Sequence, residues 1–106
     1  MPDLRGLTII VATADAERFD AALTLASAHA ALGGRTRLYC HDRAVGLLIG
    51  SAPLLATARE IGVALVACQT GLANAGIAHD SLPPATEAGG MVGILAALDD
   101  DRLVVI

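Results

Sequence analysis

Gly62-Val63-Ala64-Leu65-Val66-Ala67-Cys68-Gln69-Thr70-Gly71-Leu72 is the stretch of sequence that decides the fold. Its first part, 63–68, is apolar and uncharged, which is typical of a strand buried on both faces. The residues after Cys68 predict a short helix, with Thr70 as its cap and Gly76 at its end. In an open α/β sheet, the carboxyl ends of parallel strands border the crevice where ligands bind. The sequence therefore places a thiol at a strand-to-helix switch.

Three further runs predict strands on either side of that stretch. Leu7 to Ala12 is β-branched and uncharged, so we expect it in the interior of the sheet. The other two runs are 38–40 and 103–106.

Helical patterns separate these strands. Asp15 caps the first predicted helix, which ends at Gly33-Gly34, and its core face is Phe19, Leu23, Ala26 and Ala30. Further helices are predicted from Ser51 to Ile61 and from Met91 to Leu98, whereas 44–50 fits either a helix or an irregular loop. A loop is predicted over 79–85, near the Cys68 end of the sheet. Alternating strands and helices predict right-handed βαβ units in a three-layer α/β/α fold with a mostly parallel central sheet of four to five strands.

The length, the net charge and the lengths of the apolar runs argue against several classes of function. The 106 residues predict a single domain, 1–106, without a separate cofactor domain. The net charge is −4 and the seven basic residues are all dispersed arginines, which argues against direct binding of nucleic acid. The apolar runs are too short to span a membrane, and residues 1–5 lack the pattern of a secretion signal. We therefore expect a cytoplasmic protein with reduced thiols.

Cys68 has two interpretations. One is a buried apolar filler, because free cysteine is among the most buried residue types. The other is a nucleophile or sulfur acceptor whose thiolate is favoured by the amide groups that open the next helix. The chain contains neither the G-x-S-x-G motif of hydrolases nor a nucleotide-binding glycine motif, so no cofactor is predicted.

Four residues are candidate accessories to Cys68, namely Cys40, His41, Thr70 and His79. Cys40 and His41 end the second strand and share the rim with Cys68 in a parallel sheet. These three side chains are soft metal ligands, but structural zinc sites use four, usually in paired C-x-x-C spacing, so no metal is predicted. A Cys40–Cys68 disulfide is an alternative to two separate thiols. His79 is either a group that protonates a leaving thiol or an ordinary solvated loop residue.

Four short segments also carry a resemblance to a known family. They are Gly62-Val63-Ala64-Leu65 followed by Cys68, Gly76-Ile77, Gly89-Gly90-Met91, and Asp101-Arg102-Leu103-Val104. Together with the order of predicted elements over almost the whole chain, they resemble the DsrE/TusD-like (DsrEFH) sulfur-relay family. The most specific part of the likeness is the segment around Cys68.

The resemblance implies a small α/β/α protein that assembles into homotrimers or homohexamers. It also implies a sulfurtransferase-like activity without a cofactor, in which sulfane sulfur passes as a persulfide from a donor protein to an acceptor protein. Carried over by position, the sulfur-bearing residue is Cys68. Two other functions stay open: a non-catalytic homo-oligomeric binding module, and a redox-responsive protein that uses Cys68 and Cys40.

Overall fold

The computed structural model describes residues 4–106, so residues 1–3, part of the segment in which we expect no secretion signal, lie outside it. Within that range the chain alternates strands and helices. The strands are β1 (Leu7–Val11), β2 (Thr36–Cys40), β3 (Ala64–Cys68), β4 (Glu87–Gly89) and β5 (Arg102–Val105), and the α-helices are α1 (Ala16–Ala31), α2 (Pro53–Glu60), α3 (Gln69–Ala75) and α4 (Met91–Ala96). Two 3₁₀ helices cover Asp42–Ile49 and His79–Ser81.

The strands described in residues 4–106 form one sheet in the order β4-β3-β2-β1-β5, and every pair of neighbours is parallel. The order runs outward from β1 to β4 and then returns to β5 on the other side of β1. Because right-handed crossovers in opposite directions cover opposite faces, α1 and α2 lie on one face and α4 on the other. The predicted three-layer α/β/α fold with a parallel sheet is confirmed.

The core explains why the first predicted elements form. All five residues of β1 are buried, as expected for an interior strand flanked by β2 and β5. The Asp15 carboxylate accepts a hydrogen bond from the Arg18 backbone N–H at 2.9 Å, so the predicted cap of α1 is confirmed. Phe19, Leu23 and Ala26 are buried on the inner side of α1, and α1 packs on α2.

The opposite face of the sheet has a thinner cover. Gly93 and Ile94 of α4 border a cavity that they share with Ala64 and Val66 of β3. The guanidinium of Arg37 donates to the Ala97 carbonyl at 3.0 Å just after α4. Only Ile94 is buried among the α4 residues, so the apolar stripe predicted from 91 to 98 is half exposed.

Several boundaries differ from the prediction. Of the segment 44–50, for which helix and loop are both open, residues 44–49 belong to the 3₁₀ helix Asp42–Ile49, and Gly50 is its C-terminal cap. Helix α2 begins at Pro53 with Ala52 at its cap, and Ser51 lies outside it. Strand β4 is not predicted from the sequence, because it is a three-residue edge strand without a β-branched residue.

The loop predicted over 79–85 is not near the Cys68 end of the sheet throughout, so that expectation is wrong. Its first residues form a short 3₁₀ turn, and Pro84 and Ala85 then lie against Val63 and Ala64 at the opposite end of β3. The reason is β4: a strand parallel to β3 has to start at the same end as β3, so the loop must carry the chain back across the sheet.

Asp101 is buried, although it ends a run of three charged residues, Asp99 to Asp101. Its carboxylate accepts a hydrogen bond from the Thr8 hydroxyl at 2.9 Å and forms ion pairs with Arg35 and, at 3.5 Å, with Arg37. Gly6 leaves the space for this carboxylate, because a Cβ atom there would lie 2.0 Å from the Asp101 Oδ1 atom. This polar cluster, which we call the Asp101 cluster, ties β5 to β1 and β2.

In residues 4–106, every helix is too short or too polar to cross a lipid bilayer.

Candidate functional site

Cys68 is both the last residue of β3 and the N-terminal cap of α3. Its Sγ atom accepts a hydrogen bond from the Gly71 backbone N–H at an N···S distance of 3.4 Å. The prediction that Thr70 caps this helix is therefore wrong: α3 begins at Gln69, and the sulfur satisfies the amide that a cap side chain normally satisfies. The thiol is buried, with 7% of the residue exposed.

Tyr39 is a second side chain at the site, and no local sequence pattern predicts its role. It pairs in register with Val66, two residues before Cys68, so Tyr39 and Cys68 project from the same face of the sheet as diagonal neighbours. The ring of Tyr39 is completely buried, and a hydrogen bond from its hydroxyl is among the causes that lower the pKa of Cys68. Burial raises the pKa of Tyr39, and the Cys68 sulfur raises it further, so the hydroxyl keeps its proton. Only the strand register reveals this contact, since the two residues are far apart in sequence.

The surroundings of Cys68 favour its thiolate. Burial opposes ionisation, but the hydrogen bond from Tyr39 and the backbone N–H groups of Gly71, Asp42 and Thr70 together outweigh it, and the pKa of Cys68 is lowered. A thiolate is the reactive form of cysteine. The balance of contacts thus makes Cys68 a candidate nucleophile instead of an inert filler.

A close contact between α3 and the 3₁₀ helix Asp42–Ile49 fixes the positions of the backbone N–H groups around the Cys68 sulfur. A Cβ atom at Gly71 would lie 2.2 Å from the Asp42 carbonyl oxygen, so only glycine allows the two segments to approach this closely. Asp42 has a φ of 48°, in the left-handed region that residues other than glycine adopt rarely. The backbone conformation around the Cys68 sulfur therefore depends on glycine at position 71 and on the left-handed conformation of Asp42.

Cys40 has the opposite character. It pairs in register with Ala67, the neighbour of Cys68, so its side chain points to the other face of the sheet. It is completely buried, and burial raises the pKa of Cys40 to about 12. Two cysteines whose side chains point apart cannot be bridged without moving the backbone. The Cys40–Cys68 disulfide, and with it the redox-responsive function through that pair, is not compatible with this fold.

His41 lies on the Cys68 face and contacts the site through Tyr39. Its Nδ1 atom is 3.4 Å from the Tyr39 hydroxyl, and the two rings are 6.0 Å apart at 44°. The backbone N–H of Thr70 is among the groups that lower the pKa of Cys68, and Thr70 itself is an exposed residue. Two of the predicted accessory residues are therefore at the site, although Thr70 acts through its backbone.

His79 lies elsewhere. Its Nε2 atom is 2.8 Å from the Thr86 carbonyl oxygen, so it fastens the loop that leads to β4. Glu87, the next residue, pairs with Val66, and Thr86 therefore lies beside Leu65, roughly 10 Å before Cys68 along the strand direction. The structure does not bring His79 to the thiol.

Cys40, His41 and Cys68 do not converge on a common point. Among residues 4–106, no group of three or more histidine, cysteine, aspartate and glutamate side chains is arranged to hold a metal ion. A cavity of about 430 Å³ borders the site instead, lined by Asp42, Arg43, Gly71, Asn74 and Ala75. Gly71, whose N–H donates to the sulfur, is part of the cavity lining, which also includes the polar residues Asp42, Arg43 and Asn74.

Comparisons with known proteins identify a structural relative. No family model matches the chain, and a search of curated proteins finds no match. Among solved structures, the ychN protein from E. coli superposes with a TM-score of 0.78 and 21% sequence identity, covering 97% of this chain and 100% of that one. At this level of identity the likeness concerns the fold, and the chain is therefore similar in fold to the ychN protein over nearly its whole length.

Proposed function

We propose that this protein is a sulfur carrier that holds sulfane sulfur as a persulfide on Cys68. The observation that carries the proposal is the position of the Cys68 sulfur, which caps α3 and accepts a hydrogen bond from the Gly71 N–H. Hydrogen bonds from Tyr39 and from backbone N–H groups lower the pKa of this thiol. Cys40, in contrast, has a raised pKa and points to the other face. One of the two thiols is thus suited to reaction and the other to packing.

The reaction is an exchange between sulfur atoms. The Cys68 thiolate attacks the terminal sulfur of a donor persulfide, R–S–SH, so that a bond forms between Sγ and the terminal sulfur. The donor S–S bond breaks, and its electron pair leaves with the donor thiolate, R–S⁻. Cys68 becomes a persulfide, and the terminal sulfur keeps its hydrogen. The sequence of steps requires neither an external oxidant nor a reductant.

Two further lines support the proposal. The sequence resembles the DsrEFH sulfur-relay family around Cys68, and the ychN protein, which is similar in structure, has a DsrE-like fold. Sulfur donor and acceptor proteins are the partners that the proposal implies. We expect such a partner to approach from the side of the cavity bordered by Arg43 and Asn74.

The test is intact-mass spectrometry after incubation with polysulfide. We expect the parent protein and Cys40→Ser to gain the mass of a sulfur atom that dithiothreitol removes, and we expect Cys68→Ser to gain none. Cys40→Ser is the matched control, because it makes the same change at the buried thiol on the other face. Sulfur uptake by Cys68→Ser equal to that of the parent would disprove the proposal, as would an unloaded parent whose Cys68 reacts slowly with iodoacetamide. The latter result would favour the non-catalytic binding module.

We also propose that the protein assembles with copies of itself. Large apolar side chains are exposed on α4 and on the edge strand β5, where Val92 is 84% and Val105 is 61% exposed, with Leu95 and Leu103 nearby in the same elements. Such side chains are commonly covered in oligomers. We expect light scattering to give a mass three or six times that of one chain, and Val92→Lys with Val105→Lys to lower it. A monomeric parent would refute the assembly without affecting the persulfide proposal.

A further inference from the structure

We propose that Tyr39 stabilises Cys68 as a leaving group, so that the site is arranged to release sulfur to an acceptor thiol and not only to take it up. This inference rests on the proposed persulfide function. It adds a reactive role for a tyrosine and a positioning role for His41.

The contacts form a chain of three groups. Tyr39 and Cys68 share a face of the sheet as diagonal neighbours on adjacent strands, within reach of a tyrosine side chain, and the Tyr39 hydroxyl lies 3.4 Å from the His41 Nδ1 atom. A hydrogen bond from the same hydroxyl is among the causes that lower the pKa of Cys68. A tyrosine hydroxyl has one proton to donate and lone pairs that accept. If its proton points to the sulfur, its oxygen accepts from the Nδ1–H of His41, and His41 holds the hydroxyl in that orientation.

The other groups around Tyr39 leave this orientation in place. Cys40 lies on the same strand but points to the other face, and its raised pKa keeps it a neutral thiol. Asp42, at the start of the 3₁₀ helix, adds to the burial and to the Cys68 sulfur in raising the pKa of Tyr39. The hydroxyl therefore remains protonated and able to donate over the range in which thiols react.

The release step shows why this donor matters. An acceptor thiolate attacks the terminal sulfur of the Cys68 persulfide and forms a new S–S bond. The bond between Sγ and the terminal sulfur breaks, its electron pair goes to Sγ, and the terminal sulfur leaves with its hydrogen on the acceptor. Negative charge thus develops on Sγ, where the Tyr39 proton points. A thiol of lower pKa leaves faster, so the acceptor class that this site serves is a thiol of higher pKa than Cys68.

Tyr39→Phe tests the inference, because it removes only the hydroxyl. We expect the midpoint of the pH profile for alkylation of Cys68 by iodoacetamide to rise by roughly one unit. At a pH above both midpoints, polysulfide loading should become faster by roughly threefold, since a thiolate of higher pKa is the better nucleophile. Release to 2-mercaptoethanol from the loaded protein should become slower by about three- to tenfold.

The proposed role of Tyr39 predicts that loading becomes faster and release becomes slower in Tyr39→Phe. A general disturbance of the structure would not change the two rates in opposite directions. Leu38→Val is the matched control, because it truncates a fully buried neighbour on the same strand that points to the other face. We expect it to lower stability without changing either rate. His41→Ala should give part of the Tyr39→Phe effect, and His41→Asn, which keeps an N–H near the Nδ1 position, should restore the parent rates.

The results distinguish the two proposals. The inference about Tyr39 is wrong if the parent loads and releases sulfur but Tyr39→Phe leaves both rates unchanged or changes them in the same direction. This result would not affect the persulfide function. A parent that takes up no sulfur, while its alkylation midpoint still rises in Tyr39→Phe, would overturn the persulfide function and retain the bond between Tyr39 and Cys68.

Discussion

Asp101→Ala is expected to lower the free energy of unfolding by about 3 kcal/mol, as when one partner of a buried ion pair is removed. The side chain of Asp101 is 1% exposed and accepts from Thr8, Arg35 and Arg37. Arg37 has only 19% of its side chain exposed, so the substitution would leave its charge poorly solvated and without the carboxylate. Chemical denaturation monitored by circular dichroism measures the difference. Asp100→Ala is the matched control, since it removes the same charge from an exposed neighbour and should change stability by less than about 0.5 kcal/mol.

The effect of Asp101 should also depend on pH. Burial opposes ionisation of its carboxyl, but the hydrogen bonds from Arg35 and Thr8 and the charges of Arg35 and Arg37 outweigh it, so the pKa of Asp101 is lowered. A carboxyl with a lowered pKa in the folded state contributes stability above its ordinary pKa of about 3.9 and loses it as the pH falls through the folded value. The stability difference between parent and Asp101→Asn should therefore be largest near neutral pH and shrink below about pH 4. A difference that stays constant between pH 7 and pH 2 would contradict this account.

Gly71→Ala is the second substitution with a large expected effect. The added Cβ atom would lie 2.2 Å from the Asp42 carbonyl oxygen, so α3 and the 3₁₀ helix would have to separate. We expect a loss of about 1–3 kcal/mol in the free energy of unfolding, the usual range for an overpacked site. Separation of the two segments would also disturb the N–H groups of Gly71 and Asp42 that hold the sulfur, and the alkylation midpoint of Cys68 should rise.

Gly93→Ala provides the comparison for that experiment. Gly93 lies within α4, and a Cβ atom there would meet nothing within 4 Å. Replacing a helical glycine by alanine in open space should raise stability by about 0.5–1 kcal/mol. Equal effects of the two substitutions on stability and on Cys68 would show that the contact between Gly71 and Asp42 does not shape the site.

Local patterns in the sequence were sufficient for most of the fold. The uncharged runs around Ile9 and Leu65 predict buried strands, and the structure has both. Asp15 begins a helix because its side chain satisfies a free backbone N–H, and Gly33 and Gly76 end helices because they adopt the left-handed conformation there. These signals act within a few residues, so they can be recognised without the tertiary structure.

The features that were missed depend on contacts between distant segments. Strand β4 has no hydrophobic pattern, and it forms because β3 offers a free edge. Tyr39 reaches Cys68 only through the register of β2 and β3. Asp101 ends a run of three aspartates, and its burial follows from ion pairs with Arg37 of β2 and with Arg35, the residue before β2. Cys68, His41 and the amide groups that open the next helix could be named from the sequence as parts of the candidate site, whereas Tyr39 could not.

The position of β5 has a consequence for how the chain folds. Strand β5 completes the sheet by pairing with β1, and Thr8 and Asp101 of the same junction lie 93 positions apart in the sequence. Contacts between such distant positions form slowly, because a long loop must close before they contribute. Until β5 arrives, the apolar edge of β1 has no partner on that side, and an unpaired edge of this kind is prone to association with other chains. The slow phase of refolding should therefore report the docking of β5, and aggregation during that phase should increase with protein concentration.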